Sequence, residues 1–127
     1  MRQRRQVVDS PDELFADFPE SLAICRVVAN AVAEMGKTTV VVSKSQVAFR
    51  RRRGFAYVWR PGQYVRSDVP AVLSIALSHE VASSRWKEVV HPSPRTWMHH
   101  LELRTTAEVD DEVRTWLREA YDEAGRP

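Results

Sequence analysis

The period of the apolar positions changes twice along this chain, and the changes divide it into helix, then strands, then helix. Between Pro19 and Met35, Ile24, Val28, Ala31 and Met35 recur at i, i+4, i+7 and i+11, with Leu22, Val27 and Val32 widening the stripe. That spacing predicts a helix buried along one side. Ahead of it, Ser10-Pro11-Asp12-Glu13 has the form of a helix start, with Ser10 as N-cap, Pro11 at the first helical position and Glu13 placed to close a capping box. A short helix is therefore predicted from Pro11 to about Asp17, and Gly36 is the stop of the longer one.

From Thr38 the period becomes two. Thr38 to Val42 is β-branched throughout, Ser43-Lys44-Ser45 supplies a turn or bulge, and Val47/Phe49 and Phe55/Tyr57/Trp59 alternate on either side of Arg51-Arg52-Arg53-Gly54. This is the pattern of a β-hairpin closed by a glycine. Phe55, Tyr57 and Trp59 are two apart and are expected to form one face together under the long helices. Ala48, Ala56 and Val58 make the other side of the hairpin apolar as well, so the pattern leaves open which face the helices cover. Pro61-Gly62 forces a turn and loop as far as Pro70. Further strands are predicted at Val72 to Leu77, Arg85 to Val90 and Trp97 to Arg104, with His91-Pro92-Ser93-Pro94 breaking the ladder between the last two. Asp110 to Ala124 returns to helical period, burying Val113, Trp116, Leu117, Ala120, Tyr121 and Ala124. Consecutive strands on short links pair antiparallel. The expected architecture is thus α+β, a two-layer sandwich in which a five- or six-stranded, mainly antiparallel sheet is covered by the N-terminal helices and one C-terminal helix.

Composition narrows the class. At 127 residues, 43% hydrophobic and 28% charged, the chain suits a single domain over residues 1–127, with residues 1–9 as a frayed arm; such a domain buries roughly two-thirds of its unfolded surface. Cys25 is the only cysteine, so an internal disulfide is excluded and a reducing, cytoplasmic setting is expected. No stretch is apolar for long enough to span a bilayer as a helix, and no membrane partner is expected. The net charge of +2 conceals a separation: Lys37 to Arg66 holds eight basic residues and no acid, while Asp9 to Glu20 holds five acids and no base. Such blocks bear on partners rather than on fold.

The runs SKSQVAF (Ser43 to Phe49), RRGFAYV (Arg52 to Val58), WKEVV (Trp86 to Val90), WMHHLEL (Trp97 to Leu103) and VDDEVRTWLREAY (Val109 to Tyr121) resemble, in order and spacing, the bacterial domain-of-unknown-function family DUF5655. The resemblance runs from about Leu14 onward and implies a compact module, free-standing or at the end of a longer chain. It brings no catalytic residues with it, but Lys44 and His99 match a lysine and a histidine of the family's motifs.

Two arrangements of residues bear on function. The first is a basic surface of Lys44, Arg50, Arg51, Arg52, Arg53, Arg60, Arg85 and Lys87, suited to the phosphates of a nucleic acid or to an acidic protein. Arg53-Gly54-Phe55-Ala56-Tyr57-Val58 also fits the first six positions of the RNA-recognition RNP1 pattern, but Arg60 stands where its last aromatic belongs and no helix follows. This first reading makes the chain a non-catalytic binding domain. The second is a small-molecule or enzymatic pocket between the sheet and the C-terminal helix, walled by Trp59, Trp97 and Trp116 and oriented by Lys44 and His99. His99 and His100 are neighbours on a strand, point to opposite faces and cannot share one metal ion. No metal, no cofactor and no enzyme motif is expected, and the oligomeric state is left open.

Overall fold

Two proline-led helices begin the described part of the chain, residues 10–127 of the computed structural model; the arm read at 1–9 lies outside the described residues. Helix α1 spans Pro11–Leu14, and the Ser10 hydroxyl accepts the Glu13 N–H at 3.2 Å. It ends three residues before the predicted limit. Pro19 disfavours helical backbone at the residue before it, and the chain closes instead in a turn, with the Phe18 N–H on the Phe15 carbonyl at 2.9 Å. Helix α2, Pro19–Met35, buries Ile24, Cys25, Val28, Ala31 and Val32. Gly36 follows with φ +147°, and a Cβ there would run into the Tyr121 hydroxyl.

Six strands follow: β1 Thr39–Val42, β2 Val47–Arg50, β3 Gly54–Trp59, β4 Ala71–Leu77, β5 Glu88–Ser93 and β6 Thr96–Leu103, before helix α3, Asp111–Ala124. They form one antiparallel sheet in the order β1-β2-β3-β4-β6-β5. The last strand is inserted between β4 and β5, so β1 and β5 are the edges. The chain is thus α+β, with its sheet packed against the helices. Strand β5 differs from its predicted span. It starts at Glu88 and runs through Pro92, with an irregular register between Val90 and Ser93. An edge strand tolerates this, because a proline there forfeits no ladder partner on its outer side. No helix of the described residues is long and apolar enough to cross a membrane.

Paired residues in an antiparallel ladder share a face, so the register sorts the sheet into two sides. Phe49, Ala56, Ile75 and His99 lie in one row across β2, β3, β4 and β6, and Ala48, Tyr57, Ser74 and His100 lie in the next row on the opposite face. The first side meets α2 and α3 in the main core. At the head of β3 the pairing slips: Phe49 faces Ala56 but Arg50 faces Gly54, which leaves Phe55 as an extra residue. A bulge of this kind re-aims one side chain. Phe55 accordingly turns to the helical side, where it is buried and meets the Tyr121 ring edge-on at 5.8 Å and 84°. Tyr57 and Trp59 stay on the other face, half-buried. The expectation that the three rings form one face under the helices is therefore corrected.

This division can be measured by unfolding in urea. Phe55→Ala is expected to cost about 3–5 kcal/mol, while Tyr57→Ala, two residues along the same strand, should cost less than about 1.5 kcal/mol. Similar losses at the two positions would contradict the split.

Candidate functional site

The arginine hairpin does not project freely. Arg51 donates through Nη1 to the Tyr121 carbonyl at 3.0 Å and lies 4.0 Å over the Tyr121 ring. Arg53 donates to the carbonyls of Glu123 at 2.7 Å and Arg126 at 3.1 Å, and the Arg52 N–H to that of Ala124 at 3.0 Å. These carbonyls belong to the C-terminal end of α3, where unpaired acceptors and the negative end of the helix dipole attract cations. Arg60 stacks 3.7 Å over Phe18. Arg85 binds Asp110 at 3.0 Å, Glu112 at 2.8 Å and the Glu108 carbonyl at 3.1 Å, fastening the start of α3. The Asp110 carboxyl, as N-cap, accepts the Val113 N–H, and that bond together with Arg85 holds its pKa below the usual range. Of the basic set, Lys44, Arg50, Arg52 and Lys87 present exposed side chains with no ion pair among the described residues.

The five residues of the inter-layer pocket are not brought together. His99 is fully buried, and both its ring nitrogens are engaged: Nε2 accepts the Val81 N–H at 3.0 Å, so Nδ1 carries the hydrogen and donates to the Ile75 carbonyl at 3.2 Å. Trp86 lies against His99 at 4.9 Å and against Trp116 at 4.1 Å, filling that space. Lys44 is exposed in the turn before β2, Trp59 is on the opposite face, and Trp97 stacks on His91 at 3.7 Å. Cys25 is also inert, its thiol pushed up to about 12 by burial.

What the fold does assemble lies on the face away from α2 and α3. Gln46, Tyr57, Trp59, Tyr64, Met98 and His100 surround a bowl of about 330 Å³ with Ser74 also in its lining. The Trp59 indole N–H donates to Ser74 Oγ at 2.9 Å, and Ser74 Oγ lies 2.6 Å from His100 Nδ1. An indole nitrogen only donates, so the serine accepts it, and the proton of the 2.6 Å contact lies on Ser74 Oγ or on His100 Nδ1 according to the histidine tautomer. Burial lowers the His100 pKa below 6.5, with neighbouring Glu88 opposing the shift. Trp59 meets Tyr64 at 5.9 Å and His100 at 6.1 Å, both edge-on, and Tyr64 is 64% exposed. Two hollows adjoin the bowl. One of about 260 Å³ shares Tyr57 and Met98 with it, is edged by Arg50, Arg53 and Arg95, and reaches Ala120, Glu123 and Ala124 of the last helix. Another of about 380 Å³ shares Trp59 and His100 and is edged by Arg66, Lys87, Glu88 and Glu102.

The bowl was only half visible in the sequence. Met98 and His100 are the outward positions of the last strand, but Ser74 reads as an ordinary strand serine and Tyr64 comes from a loop. Among the described residues one group could hold a metal: His79, Glu119 and Glu123 have ligand atoms within 4.8 Å of one another. As they stand, His79 pairs with Glu119 at 3.2 Å and Glu123 accepts the N–H and hydroxyl of Ser78.

Two outcomes follow from this geometry. Arg51→Ala with Arg53→Ala removes the cations from the end of α3 and should lower unfolding free energy by about 1–2 kcal/mol, while Arg52→Ala should change it by less than about 0.5 kcal/mol; equal effects would mean the carbonyls need no arginine. For His100, a folded pKa below that of the unfolded ring means full stability above about pH 7, lost as pH falls through 6.5 toward the lowered value. An NMR titration midpoint at or above 6.5 would contradict this. Comparison with known proteins adds one relationship: residues 12–124 match the family model described as domain of unknown function, DUF5655. No curated protein and no solved structure matches the chain. With all but the two ends covered by that match, the chain belongs to the DUF5655 family.

Proposed function

We propose that this chain is a non-catalytic binding module whose ligand is single-stranded nucleic acid, held on the uncovered face of the sheet. A base would sit in the bowl among Tyr57, Trp59, Tyr64 and His100, with phosphates at Arg50 and Arg95. The observation that carries the reading is the aromatic bowl itself, continuous through Tyr57 and Met98 with a hollow lined by Arg50, Arg53, Arg95 and Glu123, in which Arg50 and Arg95 have no ion pair among the described residues. Ring faces accept any base, and cations alongside accept the backbone. Relative to the basic hairpin read from sequence, the cationic part moves to Arg50 and Arg95, because Arg51, Arg53 and Arg85 are engaged within the fold.

Ser74 beside His100 has the look of a nucleophile with its base. Ser74 is 3% exposed and its hydroxyl accepts the Trp59 N–H, which favours a positioning role: it ties the indole to the histidine.

The test is a titration of mixed-sequence single-stranded DNA and RNA oligomers at low and physiological salt, followed by tryptophan fluorescence. Tyr64→Ala, at an exposed loop position where folding is least at risk, and Trp59→Phe should each weaken binding; loss of one stacked base corresponds to about 1–3 kcal/mol. Arg50→Ala with Arg95→Ala should flatten the log K against log salt slope by about 1.4, roughly 0.7 per phosphate contact. No binding at low salt, or binding indifferent to Tyr64 and Trp59, would overturn the proposal. A slope carried by Lys44 and Arg52 instead would return the site to the hairpin.

A further inference from the structure

The two edges of the sheet are unlike. Edge strands offer a row of unpaired backbone N–H and C=O groups, and proteins blunt them with proline, bulges or charges within the strand. Strand β5 has such devices: Pro92, the irregular register after Val90, and Glu88. Strand β1 has none. Its residues Thr39-Val40-Val41-Val42 pair with β2 without a break, and β1 stands last in the sheet with no described strand beyond it. Its two central side chains are left open on both sides. Val40, in the row of Phe49 on the helical side, is 48% exposed, and Val41, in the row of Ala48 on the bowl side, is 47% exposed. The helical layer therefore stops short of β1.

We propose that the outer edge of β1 receives an extended segment of another protein as a seventh strand, and that this segment has alternating β-branched or apolar residues flanked by acids. Backbone pairing supplies affinity in this mode, and side chains at alternate positions supply selection. The charge pattern names the partner. Lys37 and Lys44 are exposed on either side of the strand, and no acid occurs anywhere from Lys37 to Arg66. The same pattern disfavours a second copy of this chain. Antiparallel self-pairing centred on Val40 or on Val41 would bring Lys37 of each copy within one residue of Lys44 of the other, like charges near both ends of a four-residue strand. Acids at the ends of an incoming segment convert both contacts to attraction. Beyond Val40 and Val41 the new strand would extend the helical face and the bowl face alike, so the edge is independent of the bowl and of its ligand.

The probe is a synthetic peptide of four alternating valines and threonines flanked by glutamates, compared with the same core flanked by lysines and with a version N-methylated at alternate amides. Binding is read by fluorescence polarisation and by amide exchange in the intact chain. The glutamate-flanked peptide should bind at least tenfold more tightly than either comparison and slow exchange at β1 amides. In the variant Lys37→Glu with Lys44→Glu, both changes being at exposed positions that leave the core untouched, the preference should reverse toward the lysine-flanked peptide. Binding insensitive to N-methylation, or a preference that does not reverse, would overturn the proposal. So would β1 amides protected in a concentration-dependent dimer, or protected in the full chain and released on deletion of residues 1–9, since either result gives the edge to this chain itself.

Discussion

One extra residue at the head of β3 governs how the two faces of the sheet are used. With Phe55 slipped out of register, a large ring passes to the helical side and closes the core against Tyr121, and the strand then resumes its alternation. Tyr57 and Trp59 are thereby released from the core. Were the alternation unbroken from Gly54, Phe55 would stand on the bowl side and the core would lack a filler at the end of α3. The bulge thus supplies a packed interior and an aromatic exterior from the same three rings.

The second constraint is on α3, which carries a continuous apolar stripe and must be held at a definite angle over β3 and β4. Its ends are fastened by opposite means. At the start, Asp110 caps the helix and Arg85 gathers Asp110, Glu112 and the Glu108 carbonyl. At the finish, Arg51 and Arg53 take up carbonyls that have no partner inside the helix. These contacts occupy Arg51 and Arg53 of the eight basic residues between Lys37 and Arg66. What remains exposed and without an ion pair among the described residues includes Arg50 and Arg95 near the bowl, Lys37 and Lys44 beside β1, and Arg52, Arg66 and Lys87.

Most of the architecture was legible in the sequence because it depends on period and punctuation. The 3.6 spacing of α2, the two-residue spacing of the strands, Pro19, Gly36 and the hairpin glycine all act locally and leave local marks. The destination of Phe55 was not legible, because a bulge belongs to a pair of strands and changes no residue type. Pro92 misled for a related reason: it forbids a central strand but permits an edge, and sheet order is not written in the strand itself. The site followed the same rule. His99 and His100 declared opposite faces by adjacency alone, whereas the bond from Trp59 to Ser74 to His100 needs the register of three strands, and the contribution of Tyr64 needs the path of a loop.

The contacts between the hairpin tip and the end of α3 join residues 51–53 to residues 121–126. Contacts so distant in sequence form late, after the closing of a long loop. During synthesis the hairpin strands are made first, yet their turn lacks these acceptors until residues 121–126 have followed. The domain therefore cannot complete its fold progressively from its beginning. Until the last helix is made, the hairpin arginines are solvated and the helical side of the sheet has only α2 to cover it.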